Sequence, residues 1–288
     1  MKKINLKKAA AIAMSLIMVL GVASCGAEEE KSDANGEAEE AVDYENSERI
    51  KEIKDSGKLV VGTSADYAPF EFHTKIDGED TIVGFDIAIA QKIADSLGVE
   101  LEVVDMAFDS LLISLDNGDF DMVLASLGAT EERKKAVDFS EPYHQSTHLV
   151  VVRAEDADKY TTAESLKGQP VAAQKGATLV PEAEKVAGAE NVVQLVKVND
   201  MVTELLNGKV EAIVLDSVIA NGYEAVNDEL VAVDIGLEPT SDGECIACKK
   251  GDTDLVGYVN EIIAGISEEE IDQMLLDAQI LAGIIEEK

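Results

Sequence analysis

The sequence predicts an α/β protein of two similar lobes, and three observations carry that prediction. Apolar strand-like runs alternate with amphipathic helix-like runs along the chain. One helix–turn–strand unit occurs twice. "FDSLLISLDNGDFDMVLAS" (Phe108 to Ser126) is echoed by "NDMVTELLNGKVEAIVLDS" (Asn199 to Ser217). Each holds a helix, an Asn-Gly stop and an acid-flanked apolar strand ending in small polar residues. Finally, 288 residues are enough for two ordinary domains.

The N-terminus stands apart from this pattern. "MKKINLKKAA" carries four lysines, and the 16 residues from Ala9 to Ser24 are uncharged. That run is short for a membrane span, which needs about 20 residues. It fits the apolar region of a signal peptide over residues 1–24. The run closes on Val22-Ala23-Ser24-Cys25, which resembles a bacterial lipobox, so Cys25 is the expected lipidated first residue. Cleavage would remove four lysines and no acids, taking the net charge from −34 to −38. Residues 26–47 are acidic, low in complexity and poor in large apolar side chains. Such a segment cannot bury enough surface to offset its ordering entropy. It reads as a solvated tether.

The folded body begins with a short helix, Ser47 to Ser56, capped by Ser47. "KLVVGTS" (Lys58 to Ser64) is a buried strand. Phe85, Ile89, Ile93 and Leu97 recur at spacings of four before Gly98, an amphipathic helix with a glycine stop. "LEVVDM" is a strand, Ser110 to Asn117 a helix, and Asp121 to Ser126 a strand. Thr130 reads as the cap of a further helix, with Arg133 in its first turn. A cation is disfavoured there, so Arg133 either pairs with a surface acid or holds an anion. "VAAQKGAT" (Val171 to Thr178) and "NVVQLVKV" open the second lobe with two more strands.

Open α/β sheets bind ligands at the carboxyl ends of their strands. The groups predicted there are Ser64 and Tyr67, Ser126 and Gly128, Gln174 and Thr178, and Asp216, with Arg133 one turn beyond. One cation, one carboxylate, several hydroxyls and loops exposing backbone N–H groups suit a zwitterion. An α-carboxylate wants a bidentate arginine, and an α-ammonium wants a fixed carboxylate. With 58 acidic against 24 basic residues, the chain should repel nucleic acid and anionic lipid.

Other motifs carry less. Cys245 and Cys248 form C-x-x-C inside a predicted strand, where residues three apart face opposite sides. They read as small apolar residues, without a second pair to complete a zinc site. His144 and His148 have the spacing of a helical metal pair, yet "HQSTHLVVV" leads into a strand, so they read as a crossover segment. No cofactor or metal is expected, and none of the three histidines sits in a nucleophile motif.

From Lys58 to about Ala282 the sequence resembles the polar amino-acid family of bacterial extracellular solute-binding proteins, which serve ABC importers. "GTSADYAPFEF", "VGFDIAIAQKIA", "LASLGATEERKKAVDFSEPY", "KGAT" and "VLDS" match the family's motifs in order. The resemblance implies two α/β lobes joined by two hinge strands, a periplasmic-binding-protein fold of the second type. Lobe 1 would span 48–144 and 241–288, and lobe 2 would span 145–240. It implies that Arg133 grips the α-carboxylate with the Gly128 N–H and Thr178. Asp216, helped by Ser126, would hold the α-ammonium. Tyr67 and Phe108 would sandwich the ligand side chain, and Ser64 and Gln174 would meet its polar end. Three positions depart from the pattern. Gly128 stands where many relatives have Ser or Thr, Ala88 replaces a second acid, and Ser64 replaces an acid found in several binders of basic amino acids. The partners implied are a free amino acid, a permease, and the membrane through the lipid, with the chain itself a monomer. The ligand expected is arginine, glutamine or cystine. Alternatives are an enzyme on the same scaffold, resembling cyclohexadienyl dehydratase, or a sensory ligand-binding module.

Overall fold

The computed structural model describes residues 43–286. The signal peptide, Cys25 and most of the predicted tether therefore lie outside the described residues. Of the expected tether, residues 43–47 are described. Tyr44–Asn46 forms a single turn, and the Tyr44 ring lies so close to Gly257 that a Cβ there would meet it at 2.3 Å.

The first half of the chain builds a small meander and four strands of the first five-stranded sheet. In order come α1 (Glu48–Ser56), β1 (Lys58–Thr63), β2 (Asp66–Tyr67), β3 (Glu71–Ile76), β4 (Glu79–Val83) and α2 (Phe85–Leu97). Then follow β5 (Glu100–Asp105), α3 (Leu111–Asn117), β6 (Met122–Val123) and β7 (Val137–Phe139). Ser47 caps α1 by accepting from the Ile50 N–H. Gly57, Gly98 and Gly118 end α1, α2 and α3 in the left-handed conformation that glycine adopts without strain.

Lobe 2 is built by β8 (His148–Arg153), β9 (Val171–Gln174), α4 (Val180–Ala187), β10 (Val192–Leu195) and α5 (Val198–Leu206). It continues through β11 (Ala212–Asp216), α6 (Ser217–Val226) and β12 (Leu230–Val233). The chain returns through β13 (Ala247–Lys249), α7 (Thr253–Gly265) and α8 (Glu268–Leu281).

The sheet orders are β5-β1-β6-β13-β7 and β10-β9-β11-β8-β12. Each has a parallel core: β1 pairs in parallel with β5 and β6, and β9 with β10 and β11. The strands nearest the crossings, β13 and β8, run antiparallel to their neighbours. A small meander, β2-β3-β4, lies at one edge of the first lobe. The two crossing segments pair with each other: Tyr143 N–H donates to Glu244 O at 2.9 Å and Glu244 N–H to His144 O at 2.8 Å. The fold class read from the sequence is the fold observed.

Three local expectations are corrected. The strand expected over Asp121 to Ser126 is regular only at Met122–Val123. Leu124 N–H still reaches Gly62 O at 3.1 Å, and then Ser126 turns away with φ +47°. The helix expected after Thr130 is one turn, Arg133–Lys135, although Thr130 Oγ1 does accept the Arg133 N–H at 3.2 Å. It stops because Val137–Phe139 must pair with β13. Cys245 precedes β13 rather than lying in it; both cysteines are free and buried.

Candidate functional site

The nine residues expected to contact a ligand all line one cavity between the two sheets. From the first lobe come Ser64, Tyr67, Phe108, Ser126, Gly128 and Arg133; from the second come Gln174, Thr178 and Asp216. Each lies at or just beyond a strand end or in the loop that follows, where the parallel cores leave backbone groups unpaired.

Arg133 reaches back rather than outward. Its Nη1 donates to Gly128 O at 2.7 Å, and its Nη2 crosses the cleft to Gly176 O at 3.0 Å. Burial pushes its pKa down to about 10, and no carboxylate pairs with it among the described residues. A desolvated guanidinium held only by carbonyls is a ready anion site, since a carboxylate would supply the missing charge. Its Cζ lies 5.6 Å from the Phe108 ring centroid. Phe108 therefore props the cation as well as walling the cavity.

Asp216 ends β11 and faces the cavity. Tyr67 Oη donates to its Oδ2 at 2.8 Å, and its own N–H donates to Tyr67 Oη at 3.3 Å. His148 Nε2 stands 3.5 Å from Oδ1. Although Asp216 sits at the N-cap of α6, its side chain makes no cap bond, so both oxygens are committed to the cleft. Burial, then the charge of Glu244, raise its pKa to about 7.

Gly128 has a steric reason to lack a side chain. A Cβ there would meet Ser241 Oγ at 2.6 Å, so a hydroxyl from the second crossing fills that space. Thr178 Oγ1 accepts from Thr240 Oγ1 at 2.9 Å. Gln174 Nε2 donates to Val196 O at 3.3 Å. Ser64 Oγ donates weakly to Asp66 Oδ1 at 3.5 Å.

Two acids at the site escaped sequence reasoning. Glu71 lines the same cavity, is 1% exposed, and its Oε2 has no hydrogen-bond partner. Burial first, then Asp86, Asp66 and Asp216, push its carboxyl well above the usual range. Asp86, wholly buried, works from behind. It accepts the Ser126 N–H at 2.8 Å and the Tyr143 hydroxyl at 2.9 Å. It thereby pins Ser126 in its left-handed conformation. Burial raises its pKa to about 6 against the pull of those two bonds.

The fold and its cleft are those of a two-lobed solute-binding protein. The profile of the bacterial extracellular solute-binding proteins, family 3, matches residues 59–276. The chain belongs to that family. Over 216 residues it is 35% identical to the arginine-binding extracellular protein ArtP of Bacillus subtilis, covering 72% of this chain and 79% of that one. The solved structure of AbpA from Streptococcus pneumoniae, bound to L-arginine, is similar with a TM-score of 0.77 at 34% identity. That likeness covers 81% of this chain and 98% of AbpA. The ancestral amino-acid-binding protein AncCDT-1, a precursor of cyclohexadienyl dehydratase, is similar with a TM-score of 0.71 at 33% identity. There 79% of this chain and 98% of the other are covered.

Proposed function

We propose that this protein is an extracytoplasmic receptor that binds arginine and delivers it to an ABC importer. The observation that carries the ligand is the charge set of the cavity. It holds one unpaired cation, Arg133, and two carboxyls, Asp216 and Glu71. Arginine is its complement: a carboxylate for Arg133, an ammonium for Asp216 and a guanidinium for Glu71. Glutamine or leucine would leave Glu71 buried without a partner, which costs about 1–3 kcal/mol. Ser64 stands where binders of basic amino acids carry an acid, and Glu71 supplies one from the neighbouring strand instead. The arginine-binding relatives agree with this choice. We read the chain as a binder with no chemistry of its own.

Titration calorimetry with arginine, lysine, glutamine, cystine and leucine tests the ligand. Arginine binds tightest if the charge set governs; tightest binding of leucine or glutamine overturns the reading. The membrane anchor rests on the Val22-Ala23-Ser24-Cys25 run. Cys25→Ser should leave the protein unprocessed or free of the membrane when cells are fractionated. A variant still processed and membrane-bound contradicts the anchor.

A further inference from the structure

We propose that Asp66 is a positioning residue: it caps helix α5 of the opposite lobe and thereby sets how long the closed receptor holds its ligand. The proposal rests on the receptor reading above and concerns a residue that reading does not use.

The short segment from Ser64 to Tyr67 is fixed within the first lobe. Asp66 N–H donates to Ser64 O at 2.8 Å, Ala65 N–H donates to Asp105 Oδ1 at 2.8 Å, and β2 pairs with β3. From this platform Asp66 Oδ2 crosses the cleft and accepts the Val198 N–H at 2.8 Å. Val198 is the first residue of α5, a nine-residue helix whose own N-cap, Lys197, offers no side-chain cap. A helix start without a cap leaves N–H donors orphaned. Lobe 2 thus relies on a carboxylate from lobe 1. The Val198 side chain is fully buried, and it packs in the same apolar cluster as Tyr67. If the lobes part, a buried apolar side chain and a capped donor are both returned to water.

The same carboxylate is one side chain removed from the ligand cavity. Its other oxygen, Oδ1, faces Ser64 Oγ, which lines that cavity. One residue on, Tyr67 also crosses, to Asp216, as Arg133 does to Gly176 O. Two adjacent side chains therefore join the lobes beside the site, one at a helix start and one at a ligand group. Bonds that exist only in the closed form slow opening without impeding entry.

The test uses the mature protein and radiolabelled arginine, with wild-type binding measured first. Asp66→Ala should speed arginine dissociation roughly fivefold, the effect of losing one N-cap, with association within about twofold. Asp66→Asn keeps an oxygen acceptor, and asparagine caps as well as aspartate; it should dissociate close to the wild-type rate. An unchanged dissociation rate in Asp66→Ala, or an Asp66→Asn variant as fast as Asp66→Ala, overturns the proposal. Amide hydrogen exchange at Val198 probes the cap with no ligand at all. Protection lost in Asp66→Ala and kept in Asp66→Asn supports it, and equal protection in all three proteins sinks it. If the wild type binds no arginine, the receptor reading fails by itself while the exchange result still decides the cap.

Discussion

The two echoed halves of the cleft are built alike and held differently. In lobe 1 the strand end is secured from within its own lobe: Asp86 grips the Ser126 N–H, and Tyr143 grips Asp86. In lobe 2 the corresponding strand runs straight to Asp216, whose donor, Tyr67, comes from the other lobe. The start of α5 takes its cap from across the cleft as well. One half of the site is therefore assembled before closure and the other half completes on closure. On the proposed reading, Glu71 would meet an incoming ligand from lobe 1 alone, whereas Asp216 with its Tyr67 donor, and Arg133 with its bond to Gly176 O, would reach their final arrangement as the lobes meet.

The largest expected effect is the loss of the cation, Arg133, which bonds to Gly128 O in lobe 1 and across the cleft to Gly176 O. Arg133→Ala should weaken arginine binding by roughly 2–5 kcal/mol, because a buried carboxylate then loses its charged partner. The fold should survive, since the guanidinium bonds only to two carbonyls. Calorimetry giving near-normal affinity would remove Arg133 from the site.

A smaller effect separates ligand class from ligand capture. Glu71→Gln should cost arginine about 1.5–3 kcal/mol, the worth of a hydrogen bond to a charged group. Glutamine affinity should hold or improve, because the neutral side chain no longer faces an unpaired buried acid. Competition of arginine against glutamine on both proteins reads this as a change of ranking. An unchanged ranking means that the guanidinium lies elsewhere.

The sequence displayed the frame well and the site in part. The four-residue spacing of α2 and its glycine stop were visible because helix periodicity is local. So was the repeated Asn-Gly punctuation before β6 and β11. The nine residues placed in the site met in one cavity because each lies at or just beyond a strand end, a position that the strand–helix alternation marks. Glu71 was invisible for a different reason. It is one acid among 58, and at the start of β3 it pairs with Tyr67 of β2, with both residues lining the cavity. No neighbour in sequence reports that. Asp86 stands in the first turn of α2, where an acid complements the helix dipole, so nothing local distinguishes it. Its inward aim is fixed by Ser126 and Tyr143, 40 and 57 residues away. The overextended strand after Asp121 erred because apolar run length cannot tell where a chain lifts off its sheet.

The finest probe of the comparison is the hydroxyl that joins the halves. Tyr67→Phe keeps the ring that walls the cavity and removes one hydroxyl, which donates to Asp216 Oδ2 and weakly accepts the Asp216 N–H. The net worth of one such bond is about 0.5–1.5 kcal/mol, the smallest effect predicted, but it carries a pH signature. Asp216 must be ionised to hold an ammonium, and burial already raises its pKa to about 7. Wild-type affinity should therefore be steady in mild alkali and fall as pH drops through about 7. The Tyr67 hydrogen bond favours the ionised form; without it the carboxyl rises further, so in Tyr67→Phe the fall should begin at higher pH. The other groups facing Asp216, which are His144, His148, Glu244 and Ser126, are the same in both proteins, as is Glu71 deeper in the cavity. Their titrations cancel in the difference between the two profiles. Calorimetric affinities for arginine from pH 5 to 9 supply that difference. Superimposable profiles would mean that Asp216 is held by its own lobe, and the two halves of the cleft would then be alike after all.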